Sequence, residues 1–209
     1  MARRKQLELG DVATRDRILE SARKCFLEYG FQAAPLRKIA DDAGFTSGAL
    51  YGYFDSKEDL FYAITDPVAE KAMEKLDQIR AEMGAQPKQQ RLNTMGQVYY
   101  PHIPEIVDIL LEDRDATKLI VTGSKGTKYE GFLDRIASRN ASEINKAAEQ
   151  AEDTKSIEQQ TMDILMDGYV STLFRLITSD KDRDTIIKCM EAIGRVYEVG
   201  VTALMKKEK

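Results

Sequence analysis

The 209-residue chain has no tryptophan, a single histidine, two cysteines, five prolines and thirteen glycines. With one histidine and two distant cysteines there is no Cys/His cluster for zinc, and no E-x-x-H pair for a di-metal site in a helical bundle. His102, in the string PHIP, has no identifiable nucleophile to serve, so it reads as a rigid-loop or pocket residue. No catalytic residue, metal or cofactor is expected, and no enzyme. Cys25 and Cys189 fall on apolar positions of helical patterns and read as buried thiols. No run approaches the roughly 20 apolar residues of a membrane span, and the basic start lacks the apolar stretch of a secretory signal, so a cytoplasmic protein without membrane association is expected. Nor does one sign of charge dominate: net charge is -4, and the first sixty residues carry ten Lys/Arg against ten Asp/Glu. Nothing in the overall charge argues for a nucleic-acid partner.

What is present is helical periodicity in a chain that is 43% apolar and 32% charged. Ile18, Ala22, Cys25, Phe26 and Tyr29 form a stripe, with Thr14 as expected N-cap and Gly30 as stop. Pro35 suits a first helical position, and Leu36, Ile39, Ala40 and Ala43 lead to a stop at Gly44. Thr46 is expected to cap a third helix through Phe54, with Leu50 and Phe54 inward. Ser56 and Asp59 make an approximate capping box for a long fourth helix, which Pro67 should kink or divide. Its stripe comprises Leu60, Phe61, Ile64, Val68, Met73, Leu76, Ile79 and Met83. A loop at 84–90, helices near 91–100 and 104–114, and a charged amphipathic segment at about 128–152 follow. GSKGT at 123–127 lacks the spacing of a phosphate-binding loop and reads as a turn. A helix opened by Ser156 and another from about 182 to 206 are the most apolar, with Ile164, Leu165, Val170, Leu173, Phe174 and Ile177, then Ile186, Ile187, Met190, Ile193, Val196, Tyr197 and Leu204. The expectation is an all-α protein of about nine helices.

Two short helices joined by a glycine-containing turn are the signature of a helix-turn-helix. The string TRDRILESARKCFLEYGFQAAPLRKIADDAGFTSGALYGYFDSKEDLF at 14–61 closely resembles the N-terminal domain of the tetracycline-repressor (TetR) family. FLEYGF at the end of the first helix, IADDAGFTSGALYGYF through the turn and recognition helix, and SKEDLF opening the fourth helix carry the resemblance. The segment departs from the usual pattern at Ala34, Pro35, Ser47, Gly52 and Tyr53.

The resemblance implies a three-helix DNA-binding domain over 1–60 and a larger helical ligand-binding and dimerisation domain over 61–209. It places Thr46, Ser47, Gly48, Ala49, Tyr51 and Tyr53 toward DNA, with Leu36 and Arg37 at or near the groove and Lys57 by a phosphate. Arg3, Arg4 and Lys5 form a basic arm, and Arg15, Arg17, Arg23, Lys24, Lys38 and others are candidates for one basic face. The implied partners are double-stranded operator DNA, a small-molecule effector and a second copy joined through the last two helices. Ligand candidates are Tyr99, Tyr100, His102, Ser124, Thr127, Tyr129, Phe132, Met162, Met166 and Tyr169. The expected function is a sequence-specific transcriptional regulator, a homodimeric repressor released from a palindromic operator. A ligand-independent DNA organiser, or a helical small-molecule binding protein without DNA activity, are the alternatives.

Overall fold

The computed structural model describes residues 2–207, with side chains from Val12 onward, so the proposed arm of Arg3, Arg4 and Lys5 lies outside the described side chains. The chain forms helices α1 (Ala2–Ala33), α2 (Leu36–Ala43), α3 (Ser47–Leu50), α4 (Lys57–Ala85), α5 (Arg91–Tyr99), α6 (Ile103–Glu112), α7 (Arg114–Thr122), α8 (Phe132–Gln150), α9 (Gln159–Ile177) and α10 (Arg183–Met205), with short 3-10 turns at Lys88–Gln90 and Tyr100–His102. Among the described residues the β-type pairing is a single bridge between Thr154 and Lys206. The expected all-α class is what forms.

By packing, the chain separates into two units. The first takes residues up to Ala69 and also Asp115–Glu130; the second takes Glu70–Arg114 and Gly131–Lys209. The division expected at residue 60 therefore falls inside α4, whose first turns, with Leu60, Phe61, Ile64 and Val68, are buried in the first unit.

In the first unit Ile18, Ala22, Phe26, Ile39, Ala40, Leu50, Phe54 and Phe61 are buried, each large side chain contributing about 2 kcal/mol by leaving water. Phe26, Phe31 and Phe61 form an aromatic triangle with centroids 5.2–5.9 Å apart. Gly30 breaks the helical path of α1 with φ 71° and ψ 167°, a left-handed φ that suits glycine. Thr14 does not cap: the preceding segment contains good helix formers and no proline, and α1 runs through it. Tyr29 leaves the predicted stripe and is exposed. Pro35 sits at the N-cap with extended ψ, one position earlier than expected. α4 is opened by the predicted box, Ser56 Oγ accepting from Asp59 N at 2.9 Å and the Asp59 carboxylate from Asp55 N at 3.2 Å. Pro67 neither divides nor ends α4, because buried Val68 and Ala69 hold the turn that follows it.

The second unit has its core between α8 and α9. Ala137, Ala141 and Ala148 keep one face of α8 slim, and Met162, Met166 and Val170 of α9 fill against it. Two boundaries differ from expectation for local reasons. α4 reaches Ala85, where the Arg91 guanidinium caps its end by donating to Gly84 O at 2.6 Å and Gln86 O at 3.1 Å. α9 starts after Glu158 rather than Ser156. Buried Asn145 accepts from Ile157 N at 3.0 Å and donates to Ile157 O at 2.9 Å, holding that residue out of the helix. The Glu158 carboxylate then caps Gln160 N and Thr161 N. GSKGT forms turns after α7, with Gly126 at φ 87°. Among the described residues, no helix is long and apolar enough to cross a membrane.

Candidate nucleic-acid interface

The turn between α2 and α3 is fixed by its own hydrogen bonds. Gly44 adopts φ 79°, its N–H donates to Asp41 O at 3.0 Å, and Phe45 N donates to Ala40 O at 2.9 Å, which is a Schellman closure. Arg17 of α1 adds a side-chain cap, its Nη2 donating to Ala43 O at 2.7 Å while its guanidinium lies 5.1 Å from the Phe45 ring centroid. Buried Ser21 donates to Ile39 O at 2.8 Å. α1 thus holds α2 and the turn at two points.

From Gly44 the chain enters α3 through Thr46, whose Oγ1 accepts from Ala49 N at 3.2 Å. α3 is shorter than expected. After Leu50 the amides of Gly52 and Tyr53 bond to carbonyls three residues back, at 3.1 and 3.0 Å, and tighten the chain into a turn. Leu50 and Phe54 are fully inward, so Thr46, Gly48, Ala49 and Tyr51 are left exposed and Ser47 half-exposed. A Cβ at Gly48 would meet only Thr46 Oγ1, at 3.9 Å, which leaves the helix start open to close approach.

Of the other sequence candidates, Arg37 is exposed, Leu36 half-buried, and Tyr53 half-buried with interactions of its own. Lys57 is committed: its Nζ donates to Gln32 O at 3.2 Å and lies 5.1 Å from the Phe31 ring centroid, and burial lowers its pKa. The expected basic face is divided in role. Arg15 stacks on Phe54 and Arg17 caps α2, while Lys24, Arg37 and Lys38 pair with Glu20, Asp41 and Asp42 at 3.1, 3.8 and 2.9 Å. Exposed pairs one helical turn apart hold weakly and exchange readily for phosphate. Arg17 and Ser21 were missed as supports of the turn because their partners are backbone carbonyls 26 and 18 residues away.

Residues 18–64, which cover α1 to the start of α4, match the family model for bacterial regulatory proteins of the tetR family. A transcriptional repressor of Corynebacterium efficiens, AcnR, is 26% identical over 169 residues, 78% of this chain and 82% of that protein. Over residues 18–64 the chain thus resembles the DNA-binding domain of the tetR family. Its likeness to the AcnR of Corynebacterium glutamicum is 42% over 57 residues, 26% of this chain and 30% of that one. Among solved structures, a TetR-like regulator from Rhodococcus shares the fold at TM-score 0.55 and 15% identity, covering 90% of this chain and 96% of that one. SmeT, the repressor of a Stenotrophomonas maltophilia multidrug efflux pump, does so at TM-score 0.51 and 20% identity, covering 93% and 91%.

The structure distributes the ligand candidates over both units. Ser124, Thr127 and Tyr129 belong to the first, where the Tyr129 hydroxyl donates to Asp66 at 2.7 Å and Thr127 donates to Ser124 O at 2.7 Å. In the second, Met162 and Met166 are core and Phe132 packs against that core. His102 Nε2 lies 2.9 Å from Glu82 Oε2. Tyr99, Tyr100 and Tyr169 come together with Tyr197 and Glu198, two residues that had not been singled out as ligand candidates. A separate polar cleft of about 490 Å³, lined by Ser142, Lys146, Glu149 and Glu158 among others, contains none of the candidates. Among the described residues no cluster of His, Cys, Asp or Glu is arranged to hold a metal ion.

Proposed function

We propose that the chain is a sequence-specific DNA-binding repressor that acts as a homodimer and releases a palindromic operator when a small-molecule effector binds. The observation that carries this reading is the start of α3. An exposed, side-chain-poor Thr46–Ala49 segment stands on buried Leu50 and Phe54, behind a turn closed by Gly44 and capped by Arg17. Such a surface admits close contact with base edges and phosphates, and Tyr51 and Arg37 supply longer reach. Leu36, Ser47, Tyr53 and Lys57 complete the proposed contact set. The relatives' designation as repressors supports repression over activation.

A second copy is supported by the apolar residues that α9 and α10 leave in water: Ile164, Val196, Val199 and Leu204 are 56–71% exposed. Large apolar side chains left in water on two helices favour an interface. A two-fold dimer would set two recognition segments about 34–36 Å apart, matching successive major-groove faces. An effector acts by binding one dimer geometry better than the other; shifting a 1:99 population to 99:1 takes about 5.5 kcal/mol of discrimination. The test is selection from a random duplex pool at near-physiological salt. Enrichment of a palindrome is the expected result, and no enrichment by a folded dimer would overturn the reading.

A further inference from the structure

Four tyrosines and one carboxylate, distant in sequence, meet in the second unit. Tyr99 ends α5, Tyr100 opens the next turn, Tyr169 lies in α9, and Tyr197 and Glu198 are consecutive in α10. The Tyr100 hydroxyl donates to Glu198 Oε2 at 2.5 Å, and the hydroxyls of Tyr99 and Tyr169 share a hydrogen bond. The rings of Tyr169 and Tyr197 lie 4.9 Å apart, those of Tyr99 and Tyr100 6.4 Å apart. Glycines clear the space for them. A Cβ at Gly96 would stand 2.7 Å from both Glu198 oxygens and from the Tyr100 ring, one at Gly194 2.9 Å from that ring, and one at Gly168 3.2 Å from the Tyr197 hydroxyl. Three helices are bare of side chains at the points where the rings and carboxylate enter.

The charge of this cluster is unbalanced. Burial raises the pKa of Tyr99, Tyr100 and Tyr169, so their hydroxyls stay neutral at physiological pH. Glu198 is half-buried and forms no ion pair among the described residues; Arg195, on the preceding turn, lies 3.4 Å from Glu191. A half-buried carboxylate without a direct ion-pair partner attracts a cation, and tyrosine faces carry the negative side of the ring quadrupole. Both features favour the same kind of ligand group, a positive charge on an apolar body.

We infer that this cluster is the binding site for an organic cation, a quaternary or protonated amine whose charged centre faces Glu198 and whose substituents lie against the tyrosine rings. The inference rests on the effector-controlled reading above and names the chemical class of the effector. Ligand entry requires Tyr100 to swing away from Glu198, which exchanges the charge-assisted hydrogen bond of the hydroxyl for an ion pair between the carboxylate and the ligand.

The test compares benzyltrimethylammonium with neopentylbenzene, its uncharged carbon isostere, by titration calorimetry on the full chain. The cation is expected to bind at least about tenfold more tightly than the isostere, and Glu198→Gln to lose about tenfold of that affinity. Tyr100→Phe keeps the ring and frees the carboxylate, and is expected to bind the cation as well as or better than the parent chain. Equal affinity for cation and isostere, no binding of either, or an unchanged Glu198→Gln variant with parental thermal stability would overturn the assignment. Operator binding measured on the same samples separates the two readings. An intact, cation-indifferent operator complex in a protein that binds the cation through Glu198 retains the site and removes its effector role. Operator binding without cation binding removes the site alone.

Discussion

The two units present their candidate recognition groups in opposite ways. In the first, the presented surface is a consecutive stretch, Thr46–Tyr51, exposed and supported by anchors a few residues on and by caps from one preceding helix. In the second, the groups that converge are partly buried and come from far apart, Tyr100 and Glu198 being 98 residues distant along the chain. A stiff, repetitive polymer such as duplex DNA is met by a short protruding element, whereas a small molecule must be surrounded from several helices. The first design is written locally; the second exists only after packing.

If dimerisation belongs to the second unit alone, charge on its outer face should separate copies without disturbing the first. Val196→Glu combined with Val199→Glu is expected to raise the dimer dissociation constant about 1,000-fold, roughly 4 kcal/mol over the symmetric contact, with helicity retained. Sedimentation of the variant as a dimer at micromolar concentration would break the comparison.

The converse change, Ala49→Glu, sets a carboxylate on the exposed start of α3, where nothing in the fold opposes it. Affinity for the selected duplex should fall about 100-fold, near 2.8 kcal/mol, with dimerisation and thermal stability unchanged. Unaltered binding by the folded variant would remove α3 from the interface.

Gly44→Ala tests whether the turn is as tightly determined as its bonds suggest. Its left-handed φ and a Cβ 2.9 Å from Arg17 Nη2 should destabilise the fold by about 1–2 kcal/mol in denaturant titration, with weaker DNA binding as a consequence. A change below about 0.5 kcal/mol would show that the turn relaxes freely.

The smallest effect sharpens the contrast from the second unit. Glu158 and Asp182 cap α9 and α10, and hydrogen bonds from backbone amides and from the hydroxyls of Thr161 and Thr185 hold both carboxyls below the usual range. A depressed folded-state pKa gives stability that is present above the unfolded value and lost as pH falls through the folded one. The melting temperature should therefore drop on acidification below the ordinary carboxylate range, and Glu158→Gln with Asp182→Asn should flatten that dependence. An unchanged acid profile in the double variant would leave these caps without a measurable role.

Much of the first unit was legible in the sequence because its determinants are short-range. Gly30 and Gly44 stop helices, Thr46 and Ser56 start them, and Leu50 and Phe54 repeat at helical spacing. The departures have both local and tertiary causes. Thr14 looked like a cap but lies within α1, and Pro67 looked like a break but is carried by buried neighbours. Arg17 was grouped with a basic face, yet it caps α2, and Lys57, placed by a phosphate, also donates to Gln32 O. In the second unit, apolar stripes did not separate core from outer face: Ile164 and Val196 were grouped with Val170 and Met190, but the first two are exposed and the last two buried. Stripe periodicity reports that a side chain is apolar, and only the neighbouring helix decides whether it is covered.

The amino-acid sequence by itself determined the all-helical class, the helix-turn-helix and the identity of the residues on its exposed start, because propensity, capping and glycine conformation act within a few residues. The tertiary structure alone decided which basic residues are engaged within the fold, which apolar residues stay in water, and that Tyr100 meets Glu198 beside three further tyrosines. Those outcomes depend on which distant helices come into contact, and no local rule specifies that.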